Sequence, residues 1–506
     1  MHIADTPAPV PEPPVADHRF ATPATERTQA GPGPEAPGGS GERLRTGLRR
    51  RHMTMIGLGG IIGAGLFVSS GKVIGDAGPA AALAYAVGGL VVVLVMRMLG
   101  ELAAARPATD SFAGYARMAF GDRAGFVVGW SYWVFTVAVI AFEAVAGARL
   151  ARSFVPGLPL WLGALVLIAA VAAANLVSVR TFGETEFWLA CVKIALIVGF
   201  LLVAILYVAG FWGGGDAGHG LTGLWDDGGF APRGWTAVTT AMVVVVFSFF
   251  GAEIVTIAAA ESAEPAREVA RATITVAWRV LIFYVCSVAL IVAVVPWREV
   301  PTDGRHSPFA TAIDRFGIAG AGRLMDVVVL VAVTSILNAG VYGSSRMLMS
   351  LARRRDAPAR LARLRPSGVP AGAVAGGAIA AAVLILASYT ISPGDVFDFL
   401  LESAGLLTLV LYLVVAASEL RLRRRFERED PRQLTVRMWL FPWLSIAVLV
   451  LLGLVFLAVV ASPDSAPVVV CVLSVVAALV LADVVRTARA RRVPAASTGA
   501  EGTMSR

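Results

Sequence analysis

Apolar runs of roughly twenty residues recur along the whole chain, and each is long enough to cross about 30 Å of hydrocarbon. Twelve are expected, near 54–74, 79–104, 125–152, 159–179, 186–211, 236–259, 273–295, 323–350, 370–391, 397–420, 438–461 and 466–487. In lipid every backbone N–H and C=O needs an internal partner, and a helix supplies one within its own segment. The expected fold class is therefore an all-α polytopic membrane protein with twelve transmembrane helices. Of the 506 residues 57% are hydrophobic and 15% charged, against about a quarter charged in soluble chains. The deficit is spread along the chain, which excludes a single anchor on a soluble domain.

The formal charge of +8 does not point to nucleic acid, because the arginines sit in short connections rather than on an aromatic-interleaved basic surface. Alternate loops carry them: Arg106, Arg117 and Arg123; Arg180; Arg267 and Arg271; Arg353 to Arg365; Arg421 to Arg428; and the tail from Arg486. The opposite loops carry few, with Arg298, Arg305 and Arg315 as the main exception. By the positive-inside rule both termini are expected in the cytoplasm. Residues 1–44 are rich in Pro, Ala, Gly and Thr and are read as a disordered cytoplasmic tail ending in the basic patch Arg43 to Arg51. Residues 45–487 are expected to form the twelve-helix core, and 488–506 a cytoplasmic tail. No apolar h-region precedes the first span, so that span is expected to direct insertion.

Cys191, Cys286 and Cys471 fall inside apolar runs without CxxC spacing, and the five histidines are scattered, so neither a disulfide framework nor a metal site is expected. No nucleophile motif or phosphate loop is present, and no enzymatic activity is expected.

Two spans carry glycine and small polar residues at mid-depth. The first contains GLGGIIGAGLF, residues 57–67, and the sixth VFSFFGAEIV, residues 246–255. Gly-interrupted segments at corresponding positions of two halves point to a transporter's binding site. A broken helix exposes N–H groups on one side and carbonyls on the other, the donors and acceptors that an amino acid zwitterion requires. Close helix packing by small residues is the simpler reading for one such motif; two, five helices apart, favour a site.

Lys193 lies within the fifth span and is one of only two lysines, the other being Lys72. A buried lysine can release its proton where an arginine stays charged, so Lys193 is a candidate to carry a coupling proton; snorkelling to the interface is the alternative. Glu253 lies in the sixth-span break and is expected to order the broken backbone or read the substrate amine. Glu143 in the third span has two readings, a cavity-facing group or a paired structural carboxyl. Glu101, Glu184, Glu186 and Glu261 lie near span ends and are expected to be solvated caps or gate ion pairs. Thr334 and Ser335 in the eighth span are small hydroxyls able to line the space near Lys193.

The segments RHMTMIGLGGIIGAGLFV from Arg51, MRMLGELA from Met96, FGETEFWLACVKI from Phe182, FSFFGAEIVTIAAAESAEP from Phe247, WRVLIFYVCSVALIVAVVPW from Trp278 and VTSILNAGVYGSSRMLMSLARRRDAPA from Val333 are similar to those of amino acid permeases of the amino acid–polyamine–organocation superfamily. The likeness is greatest to bacterial γ-aminobutyrate permeases and covers residues 45–487, although GAGLFVSSG in the first span is closer to general α-amino acid permeases. The resemblance implies a five-plus-five inverted repeat, helices one and six unwound, two added C-terminal helices, and residence in the bacterial inner membrane. It implies secondary active import of γ-aminobutyrate or a related amino acid, driven by the proton motive force without a cofactor. For the substrate it implies Ile62, Gly63, Ala64 and Gly65 on helix one and Phe247, Ser248, Phe249 and Gly251 on helix six. For proton coupling it implies Lys193, Thr334 and Ser335. Exchange on the same fold, import of another α-amino acid, and a membrane sensor that binds without translocating are the rival readings.

Overall fold

The computed structural model describes residues 60, 62–106, 111–177, 179–211, 223–226, 228–253, 265–391 and 395–492. The N-terminal tail, the basic patch Arg43 to Arg51, most of the 57–61 stretch, Glu261 and residues 493–506 of the C-terminal tail lie outside the described residues. Among those described there is no strand. The principal helices are α1 (Ala64–Phe67), α2 (Ser69–Ala77), α3 (Ala81–Ala105), α4 (Ser111–Phe120), α5 (Asp122–Ala151), α6 (Leu160–Asn175), α7 (Val179–Val208) and α8 (Gly234–Ser248). They continue with α9 (Pro265–Arg279), α10 (Ser287–Val294), α11 (Pro308–Arg315), α12 (Ala321–Arg353), α13 (Ala371–Ile391), α14 (Val396–Glu429), α15 (Trp443–Ala461) and α16 (Ala466–Arg492). Among the described residues nine helical segments are long and apolar enough to cross a membrane, and α6 and α8 are shorter apolar helices. The protein is an all-helical membrane protein; the count of twelve spans stays a sequence expectation.

The bundle is organised around α5, which packs along α4, α6, α12 and α14. Small residues let neighbours approach that closely: Gly147 of α5 faces Leu167 and Val333, and Gly129 faces Ala113, Met347 and Leu351. Outer helices turn large apolar side chains outward, among them Trp188 and Leu202 of α7, Ile379 of α13, Leu457 of α15 and Leu481 of α16. So much exposed apolar surface has its matching solvent in lipid chains.

Three interruptions position the site. Gly63 is extended (φ −147°, ψ −153°) and α1 begins immediately after it. Helix α8 stops at Ser248; Phe249 to Gly251 form a turn, with Gly251 at φ +97°, a conformation that a side chain disfavours. Between α9 and α10 the chain forms a π-helical turn, Val280–Cys286, a device frequent at functional sites.

Candidate functional site

The α1 and α8 interruptions meet in the bundle's interior. Ser248 Oγ lies 2.7 Å from the Gly65 carbonyl oxygen and 2.8 Å from that of Val244, and its one proton is shared between these two acceptors. A β-carbon on Gly65 would stand 2.9 Å from Ser248 Cα, so only glycine permits this approach of two backbones. Ile62, Gly63, Ala64, Gly65, Phe247, Ser248, Phe249 and Gly251 are all buried, and the eight implied substrate residues thus fall on two interruptions pressed together at Gly65 and Ser248.

The polar groups at these interruptions already have partners. The Ala64 N–H, at the start of α1, donates to both oxygens of Glu143 at 3.3 Å. Ala64 is the first residue of a helix whose early N–H groups lack intrahelical acceptors, and a carboxylate there also faces the positive end of the peptide dipoles. On the other side, the Ser248 carbonyl accepts from the Tyr284 hydroxyl at 2.7 Å, and the π-helical turn carries that tyrosine. The Phe247 carbonyl accepts from the Phe250 N–H at 2.9 Å. The Gly251 N–H donates to Glu253 Oε2 at 3.1 Å, so Glu253 orders the helix-six turn.

Aromatic rings close the surroundings. Phe249 stacks against Tyr284 with ring centroids 4.5 Å apart, and Phe247 meets Phe142 edge-on at 5.2 Å. Phe142 in turn contacts Phe397 at 5.2 Å. Above that ring Arg149 lies 4.6 Å from its centroid and donates to Asp395 at 2.9 Å and to the Asp303 carbonyl. These contacts run in series from Phe247 at the α8 interruption to the Arg149–Asp395 pair.

Lys193 and Ser335 are both fully buried. Lys193 Nζ donates to Ser335 Oγ at 2.8 Å, Ser335 Oγ donates to Glu186 Oε1, and that carboxylate oxygen lies 3.7 Å from Nζ. Of the two readings of Glu186, a solvated span-end cap and a gate ion pair, the first is overturned: α7 begins at Val179, seven residues earlier, so Glu186 lies two turns inside it, fully buried and beside Lys193. Residues 186 and 193 are separated by two helical turns and project from one face, a spacing that in hindsight was readable. Thr334 donates to Leu330 O, one turn back in its own helix. Glu143 and Glu186 both lie within electrostatic reach of Lys193, and Glu143 also bonds the start of α1.

The remaining polar candidates lie elsewhere. Glu101 is buried against Arg423 at 2.7 Å, joining α3 to α14 as an ion pair. Lys72 is surrounded by Asp76, Asp398 and Glu402 at 3.4–3.6 Å, beside a cavity of about 240 Å³. The three cysteines are free, and among the described residues no group of His, Cys, Asp and Glu is placed to hold a metal ion.

Sequence comparison bears on this arrangement as a whole. A family model described as amino acid permease matches residues 52–482. The γ-aminobutyric acid permease of Bacillus subtilis (strain 168) is 44% identical over 402 residues, covering 79% of this chain and 85% of its own. That of Escherichia coli (strain K12) is 45% identical over 402 residues with the same coverage. The aromatic amino acid transport protein AroP of Corynebacterium glutamicum is 42% identical over 421 residues, covering 83% of this chain and 90% of its own. With the match running through nearly all of the helical core, the chain belongs to the amino acid permease family.

Proposed function

We propose that the protein imports γ-aminobutyrate or a related amino acid by proton symport across the bacterial inner membrane, with both termini in the cytoplasm. The observation that carries this reading is the meeting of the two interrupted helices at Gly65 and Ser248, where helix-start N–H groups and helix-end carbonyls face one interior region. The substrate carboxylate takes the α1 amides around Gly63 to Gly65, displacing Glu143 from Ala64. The substrate ammonium takes the carbonyls of Phe247 and Ser248, displacing the Tyr284 hydroxyl. Glu143 and the Tyr284 hydroxyl thus hold the same donor and acceptor that the substrate's carboxylate and ammonium would take, so exchange of partners leaves the Ala64 N–H and the Ser248 carbonyl paired at either step.

Coupling is assigned to Lys193. Protonated, it bonds Ser335 and is balanced by Glu186; deprotonated, it weakens the tie between α7 and α12 and alters the field at Glu143. A proton biases the cycle only by binding one orientation of the carrier better than the other. The γ-aminobutyrate reading draws on the similarity to the γ-aminobutyric acid permeases of Bacillus subtilis and Escherichia coli, and the similarity to an aromatic amino acid transport protein keeps a larger α-amino acid as the second substrate reading.

Uptake of labelled γ-aminobutyrate into proteoliposomes, with and without an inward proton gradient and against a panel of α-amino acids, tests the proposal. Gradient-driven accumulation with few competitors is the expected result. Accumulation that ignores the gradient overturns the coupling; transport of an α-amino acid in place of γ-aminobutyrate overturns the substrate alone.

A further inference from the structure

Helix α14 leaves its apolar stretch at Leu420 and continues with Arg421, Arg424, Arg425 and Arg428. Their spacings of three, four and seven put them on one face. That face lines a cavity of about 740 Å³, within the roughly 300–1,000 Å³ usual for small-molecule sites. The opposing walls are apolar: Met118 and Phe120 of α4 and Leu449 of α15.

The charge in this cavity is unbalanced. Its one carboxylate, Glu429, pairs with Arg425 at 2.7 Å. Arg421 lies 5.5 Å from the centroid of the Phe120 ring, a contact that leaves its charge uncompensated. Arg424 and Arg428 form no ion pair with any described residue. A solvated cationic helix face would account for the arginines but not for the hydrocarbon wall opposite them.

The depth of the cavity matches a membrane boundary. Trp439 and Trp443, strongly exposed at the start of α15, are side chains suited to the headgroup layer. From Leu420 to Arg425 the helix climbs about 7.5 Å, comparable with the roughly 5–8 Å of one headgroup layer. Leu449 lies six residues, or about 9 Å, into its span from Trp443, so the wall it forms reaches the acyl chains.

We propose that this cavity seats an anionic phospholipid, its phosphodiester held by Arg421, Arg424 and Arg428 and its acyl chains lying on Phe120, Leu420 and Leu449. Native mass spectrometry of the purified full chain, titrated with phosphatidylglycerol against phosphatidylcholine of equal chain length, reads the binding directly. Wild type retains phosphatidylglycerol in preference. An Arg424→Gln/Arg428→Gln variant holds it roughly thirtyfold more weakly, from the attraction that each arginine contributes at an anionic surface. An Arg363→Gln/Arg365→Gln variant, altered in the connection after α12, holds it as wild type does. Equal loss in both variants would reduce the effect to general attraction by a cationic end and overturn the site. Equal retention of the two lipids overturns it as well, and this wild-type comparison decides the matter if the first variant does not fold. Displacement of the lipid by inorganic phosphate at equal concentration would assign the arginines to a soluble anion and overturn the lipid.

Discussion

Lys193 Nζ and a Glu186 carboxylate oxygen lie 3.7 Å apart, both side chains fully buried, and removing one partner of a buried ion pair is far more costly than removing both. Lys193→Ala is expected to destabilise by about 3–5 kcal/mol, and Lys193→Ala/Glu186→Gln by clearly less, in thermal unfolding in detergent. Additive losses would show that the two groups do not act as a pair. In transport, Lys193→Ala is expected to retain exchange of substrate while losing accumulation driven by a proton gradient. Gly65 constrains the site in another way. Its missing β-carbon meets backbone rather than a flexible side chain tip, so Gly65→Ala has nowhere to relax. It is expected to cost about 1–3 kcal/mol by overpacking and to depress uptake, whereas Gly199→Ala in α7, with open space around it, changes neither.

At the scale of elements, the interruption of α8 is held by Tyr284 from the π-helical turn and by Glu253 from within. Tyr284→Phe leaves the Ser248 carbonyl buried without its donor, at a cost of about 1–3 kcal/mol. The same change frees that carbonyl for a substrate ammonium. The substrate-free protein is therefore expected to melt lower, with a larger upward shift on adding substrate than wild type shows. An unchanged shift would separate Ser248 from substrate recognition. The helix-one interruption has its counterpart in Glu143, which bonds Ala64 from α5, the most buried of the nine membrane-length segments among the described residues.

For the whole molecule, the rings Phe247, Phe142 and Phe397 lie in series under the Arg149–Asp395 pair, and in the proposed transport cycle this series serves as one closure. Asp395 also caps α14, accepting from the Asp398 N–H at 3.1 Å. Asp395→Asn keeps an oxygen for that cap while removing the charge. Because the pair is partly exposed, its loss is expected to shift the closed–open balance by no more than about 1 kcal/mol, roughly fivefold. Labelling of a cysteine introduced at Phe397 in a background lacking the three native cysteines measures it: faster labelling supports the closure, and an unchanged rate removes Asp395 from it.

Much of this was present in the order of the residues. Apolar run length dictates spanning helices because hydrocarbon offers the backbone no partner, and the glycine-rich stretches mark the two interruptions because few other residues tolerate a turn or a backbone approach there. The isolation of Lys193 among arginines singled it out before any contact was known. Tertiary structure alone decided the partners. Ala64 and Glu143 are 79 residues apart and Lys193 and Ser335 are 142 apart, distances over which no periodicity carries information. The early start of α7 excluded the solvated cap for Glu186 and left the ion-pair reading, with Lys193 as its partner, and Thr334 turned to its own helix while Ser335, one position on, faced the lysine. A helical pattern specifies which face a residue occupies, but the packing of one helix on another decides what that face meets, because opposite charges attract weakly in water and strongly only where packing has removed it.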